Sequence, residues 1–253
     1  MSTKLEELGF KGSAAFTLNE EGSGAKYYRN SVYFPDSRAK PVTNSGVTID
    51  PGIDLGSGDR KMIDEVMRFY YNSGFLSDIQ YSLLKTAVSK KKERAAEWIE
   101  NNERYFKNKF LIPDSLAEYV FANYSADDYW KFLTTNIPEL LSMSFNHIKA
   151  AVHTSLLSLA YNYGMSRTAN LAKARIQTGQ YEELAHDIKS IKHNSKALRD
   201  RRQREGDLIL DALKMKEKFA VVVDANINAM PMGVVPIDIQ ETMLTPPDSM
   251  RMV

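Results

Sequence analysis

The sequence predicts a mainly helical α+β fold, a small N-terminal β-region followed by a helical lobe. Three observations predict it. Residues 44–56 hold three glycines and a Pro-Gly step among alternating apolar residues, the pattern of a short, tight hairpin. From Asp59 onward apolar residues recur at helical spacing almost without a break. Ahead of both, residues 10–21 fit one short helix stopped by Gly22 and Gly24.

Length and composition bound the rest. A chain of 253 residues can bury a sizeable core without staples. Its composition, 43% hydrophobic and 26% charged, is that of a soluble globular protein. A formal net charge of +1 gives no global attraction to nucleic acid or to a membrane surface, so neither is expected as a partner, and a monomer is expected. There is no cysteine, which excludes disulfides, thiolate metal sites and a thiol nucleophile. His147, His153, His186 and His193 show no metal-ligand spacing, so no metal or other cofactor is expected. The first ten residues alternate in charge and lack the apolar core of a secretory signal. No window is long and apolar enough to span a membrane. The composition shifts at Phe219, giving a main domain over 1–218 and an extension over 219–253 that is partly irregular.

In chain order, the first predicted helix ends on Glu20-Glu21-Gly22. A carboxyl there meets the negative end of the helix dipole, which favours its protonated form; a solvated pair at a helix end is the plainer reading. Residues 25–43 mix Tyr27, Tyr28, Tyr33 and Phe34 with Lys26, Arg29, Arg38 and Lys40, a loop whose rings could face a ligand or pack on the core. In the hairpin Val47, Ile49, Ile53 and Leu55 share one parity and Thr48, Asp50 and Asp54 the other. That puts a Thr and two carboxylates on one face, although Thr and Asp beside Gly are also ordinary turn residues.

Helices follow. Ile63, Val66, Met67 and Tyr70 stripe one, ended by Asn72-Ser73-Gly74. Ser77 can cap the next, with Ile79, Leu83, Leu84, Ala87 and Val88 on its face. Lys90-Lys91-Lys92 reads as a solvated helix face. Ile112-Pro113-Asp114 starts a helix striped by Leu116, Val120, Phe121 and Tyr124; Ser125 can cap another, and Ile137-Pro138 interrupts it. Residues 148–163 are apolar nearly all round and predict a buried helix closed by Gly164, with His153 as a structural residue. Tyr181, Leu184, Ile188 and Ile191 mark an amphipathic helix, and 198–216 the last long one, its arginines facing solvent or a cleft. Ala220 to Asp224 is strand-like.

A resemblance adds to this reading. Glu21-Gly22, then Phe34-Pro35, then the stretch Ser45 to Gly56 resemble the phage-type, T4-like lysozymes, most closely their pesticin-like branch of toxins and phage muramidases. Thr154 to Gly164 is similar to the buried helix of phage endolysins, and Arg201-Arg202-x-x-Glu205 to their last helical signature. The matches span about residues 10–215, and only the first part is specific. The resemblance implies a lysozyme-like fold with a catalytic hairpin, and cleavage of the β-1,4 bond between N-acetylmuramic acid and N-acetylglucosamine in peptidoglycan. It implies Glu21 as general acid, with Thr48 and Asp54 completing the site. It implies glycan strands as partner, an immunity protein or delivery carrier as further partners, and action on the cell wall after a holin, lysis or a secretion device has carried a cytoplasmic product there. Two departures stand out. Asp50, followed by Pro51, replaces the family's usual glycine, so the turn is expected to be reshaped and Asp50 to compete with Asp54. The loop between Glu21 and Thr48 is long and polar. A lytic transglycosylase, needing only the glutamate, and a glycan-binding module without turnover remain as alternatives.

Overall fold

Thr3 starts the chain's first helix. Its hydroxyl accepts from Glu6 N while the Glu6 carboxylate accepts from Thr3 N, a reciprocal cap on the short α1, Lys4–Glu7. The computed structural model describes residues 2–21, 32–35, 44–49, 51–107 and 109–229. The chain divides into two units, residues 1–213 and 214–253.

The helix predicted over 10–21 forms as α2, Ala14–Glu21. Its start is fixed by Ser13 N donating to Thr154 Oγ1 and Ala15 N to Glu118 Oε1, so residues distant in sequence supply the cap. Three short antiparallel strands follow: β1, Val32–Tyr33; β2, Thr48–Ile49; β3, Ile53–Asp54, in that spatial order. The β2–β3 hairpin is the one the alternation predicts, and Val47, Ile49, Ile53 and Leu55 are all buried. Gly52, at φ +90°, makes the turn and donates to Ile49 O. Strand β1 falls in a stretch expected to be loop; Val32 pairs with Ile49 and Tyr33 with Thr48. Tyr27, Tyr28, Arg29, Arg38, Lys40 and Asp50 lie outside the described residues.

Helix α3, Arg60–Asn72, is capped by Asp59 and closed by Ser73 and Gly74 as expected. Helix α4, Asp78–Ala87, carries the Ser77 cap, here a full box with Gln80. Ile79 corrects the expected apolar face, since it is exposed; the buried face is Gln80, Leu84 and Ala87, with Gln80 donating to Tyr105 O. The Lys90–Lys92 run is not a helix face. It is a loop that precedes α5, Glu93–Phe106, and pairs with the far side of the hairpin. Helix α6, Asp114–Val120, starts where Pro113 predicts. It passes without a break through a π-helical turn, Phe121–Ser125, into α7, Asp127–Asn136. Ser125 therefore caps nothing: Ala126 N already donates to Phe121 O, and no fresh helix start exists for it to serve.

After α8, Glu139–Ser142, the buried helix predicted over 148–163 forms as α9, Asn146–Tyr163. It ends at Gly164, φ +101°. His153 is buried on it. Helix α10, Met165–Gln177, has no counterpart in the sequence reading, and α11, Tyr181–Lys189, has. Helix α12, Lys196–Ala229, runs through residues 220–224, so the strand-like run is helical. β-Branched residues lower helix propensity only slightly, and extending an existing helix avoids the cost of nucleation.

The first unit holds two apolar clusters. One gathers the hairpin, α3, α4, α5 and most of α6; the other gathers α1, α7, α9, α10, α11 and the near part of α12. Helix α2 belongs to both, through Ala14 in one and Leu18 in the other, and its last residue is Glu21.

Candidate active site

Helix α2 ends against α12. Glu21 Oε1 accepts from Arg201 Nη1 at 2.5 Å, and the preceding Glu20 takes Arg204 in a two-bonded fork at 2.7 and 2.6 Å. The two pairs differ in setting. Arg204 is half exposed, whereas Arg201 is only 3% exposed and is held on every side. Its Nη2 donates to Ser158 O at 2.9 Å and to Ser158 Oγ at 3.0 Å, and its Nε to Glu205 Oε1 at 3.1 Å. Behind it, Glu205 is fully buried, accepts from Ser158 Oγ at 2.5 Å, and faces Arg202 Nε at 3.1 Å. Arg202 is fully buried too and reaches Asn162 Oδ1 at 3.4 Å. A row of alternating charge, Glu21, Arg201, Glu205, Arg202, thus runs inward from the cleft.

This corrects one expectation. The arginines at 201 and 202 do not lie on a solvated face. Two guanidiniums can be buried here because Glu205 sits three and four residues away on the same helix, within one turn of both, and α9 offers hydroxyl and carbonyl oxygens. Burial pushes the Glu205 carboxyl up from its ordinary range, while Arg202, the Ser158 hydroxyl and Arg201 pull it back. Burial pulls Arg202 down, and Glu205 opposes that.

Above the row lies a cleft of about 520 Å³, lined among others by Asn19, Glu20, Glu21, Asn162, Arg201 and Arg204. Its volume falls within the usual range for ligand pockets. Tyr161 stands close by. Its titration is raised by burial first, then by the Glu21 charge and by Tyr129 and Tyr33, with Arg201 opposing. Its hydroxyl therefore stays protonated and can donate. The same hydroxyl lies 4.0 Å from where a side chain would begin at Gly52, so α9 reaches the hairpin turn at this point.

On the hairpin, Thr48 and Asp54 are direct cross-strand partners, which puts their side chains on one face as their parity predicts. Both are tied into the loop. Asp54 Oδ1 accepts from Gly46 N at 3.0 Å, Gly56 N at 2.7 Å and Ser57 N at 3.2 Å, and Oδ2 from Ser57 Oγ at 2.5 Å. Thr48 is buried, with a long 3.4 Å bond to Gly46 O. The loop is clamped from outside by residues 89–92: Ser89 N donates to Leu55 O and Lys92 N to Ser45 O, with Ser89 and Lys92 both at positive φ. Two non-glycine residues in that region mark stored strain, held by these bonds.

No protein-family model matches the chain, and no curated protein is similar to it in sequence. The site is therefore read from its own chemistry. Arg201, Ser158, Tyr161 and Glu205 were not singled out as site residues by sequence reasoning. The signal for two of them was present, since Arg201 and Glu205 stand one helical turn apart in a run that was read only as a family signature. Among the described residues no group of three or more His, Asp or Glu side chains is arranged to hold a metal ion, and no helix is long and apolar enough to cross a membrane.

Proposed function

We propose that this chain is a glycoside hydrolase of the lysozyme type, cleaving the β-1,4 bond between N-acetylmuramic acid and N-acetylglucosamine in peptidoglycan. The observation that supports this reading is Glu21, delivered by the end of α2 to a polar cleft and held there by a buried guanidinium. Breaking a glycosidic bond needs a carboxylic acid to protonate the leaving oxygen, and a second carboxylate to activate water or stabilise the oxocarbenium-like transition state. Glu21 is the acid. Asp54 is the second carboxylate, through the Oδ2 that keeps acceptor capacity beside Ser57, and Thr48 across the hairpin helps to hold the water. A product of this kind acts on the wall as a bacteriolytic endolysin or an antibacterial toxin.

A second reading has one observation in its favour. Asp54 is so fully engaged in its own loop that the glutamate could act alone, as in a lytic transglycosylase. Purified peptidoglycan treated with wild type, Glu21→Gln and Asp54→Asn, with products read by mass spectrometry, separates the two. Reducing muropeptides from the wild type, lost in both variants, are the expected result. Anhydro sugars with Asp54→Asn still active would establish the transglycosylase. Full activity in Glu21→Gln would sink both.

A further inference from the structure

We propose that Glu205 is a positioning residue that sets how much positive charge Glu21 faces. The inference rests on the reading of Glu21 as the acid. Arg201 is shared: one nitrogen serves Glu21 at 2.5 Å, another serves Glu205 at 3.1 Å, and the third is fixed by Ser158. Arg202 adds a second buried cation, facing Glu205 at 3.1 Å. With Glu205 ionised, the buried set of two arginines and one glutamate carries one net positive charge, and Glu21 balances it. Without that charge the set carries two, and Glu21 is the remaining carboxylate against Arg201. A general acid must hold a proton at the working pH, and a guanidinium at hydrogen-bond distance opposes this. Glu205 relieves that opposition from behind, where no substrate reaches it, since it is fully buried.

The groups acting on Glu21 come from several elements. Arg201 and Arg202 face it from α12, Tyr161 from α9 and Tyr129 from α7, with Glu20 beside it on α2. The two tyrosines are pushed up by burial and by Glu21 itself and stay neutral, so they donate or pack but bring no charge in the working range. Glu20 is matched by Arg204. That leaves Glu205 as the group whose charge can tune the pair.

The test is a pH–activity profile on peptidoglycan for wild type, Glu205→Gln and Ser158→Ala, with the Glu21 side-chain carboxyl followed in parallel by carbon NMR titration. In Glu205→Gln the alkaline limb of activity and the Glu21 titration are expected to move together to lower pH, by about one unit or more. Ser158→Ala keeps every charge but removes the hydroxyl that favours ionised Glu205, and it is expected to shift both in the same direction by less. Glu205→Asp is expected to restore the wild-type profile. A folded Glu205→Gln protein with both readouts unmoved overturns the proposal, as does an unmoved Ser158→Ala if Glu205→Gln does not fold. If the wild type releases no sugar product, the hydrolase reading fails, and the Glu21 titration alone decides the proposal.

Discussion

At the scale of single residues, the site separates side chains that do chemistry from side chains that hold backbone, and Asp54 is asked to do both. Its Oδ1 satisfies three backbone N–H groups. Asp54→Ala strands them and is expected to cost about 2–4 kcal/mol of stability in urea denaturation, whereas Asp54→Asn keeps an acceptor there and costs about 1 kcal/mol. Activity lost in the Asn variant is then lost to chemistry. Glu21→Gln is expected to lower stability by no more than about 1 kcal/mol, since Glu205 still pairs Arg201 and Glu21 is partly exposed, while hydrolysis disappears. The sequence made Glu21, Thr48 and Asp54 visible because Gly, Thr and Asp at these spacings are a local signal. It hid Arg201 and Glu205, because an arginine on an otherwise polar helix face looks solvated until the partner from another helix is known.

At the scale of elements, the hairpin depends on close approach. A Cβ on Gly56 would stand 2.5 Å from Lys90 O and 3.1 Å from Asp54 Oδ1, against backbone that cannot swing away. Gly56→Ala is expected to destabilise by about 2 kcal/mol or more in the same assay and to lower activity with it, because the Asp54 loop and the strained 89–92 segment move together. The helices were legible where the apolar period was clean, as in α3 and α9. They were not where function or a neighbour took over a position. Gln80 fills a buried place that alternation would give to Ile79, and the strand-like valines after Phe219 continue a helix begun far upstream.

At the scale of the whole molecule, stability depends on a histidine that the site does not use. His153 lies where the segment before α2, helix α8 and helix α9 meet: Lys11 N donates to Nδ1 at 3.1 Å, and Nε2 faces Leu140 O at 3.0 Å. This fixes the neutral form with its proton on Nε2, because a proton on Nδ1 would confront the Lys11 N–H. Burial pulls the group down from 6.5 to about 4. The unfolded chain therefore binds more protons between those values. The stabilisation is complete above 6.5 and is lost as pH falls toward 4, about 3 kcal/mol in all. Denaturation from pH 7 to 4 is expected to show that slope in the wild type and to lose it in His153→Gln. Glu205, raised by burial, works in the opposite sense, so the difference between the two proteins isolates the histidine.

The π-helical turn at 121–125 has a consequence for how this chain can vary in length. Such a turn is one residue more than an α-helix needs over the same rise, so it works as a spacer inside a continuous rod. Removing one residue there would restore ordinary winding and turn everything beyond it by about 100°. Trp130 would then leave Leu8 O, to which its Nε1 donates at 3.1 Å, and the rings of Phe10 and His153 it packs against. Single deletions are therefore expected to be tolerated far less in this turn than after Gly74 or Gly179, where the chain already changes direction. The extra residue is what keeps the two apolar clusters in phase along one helix.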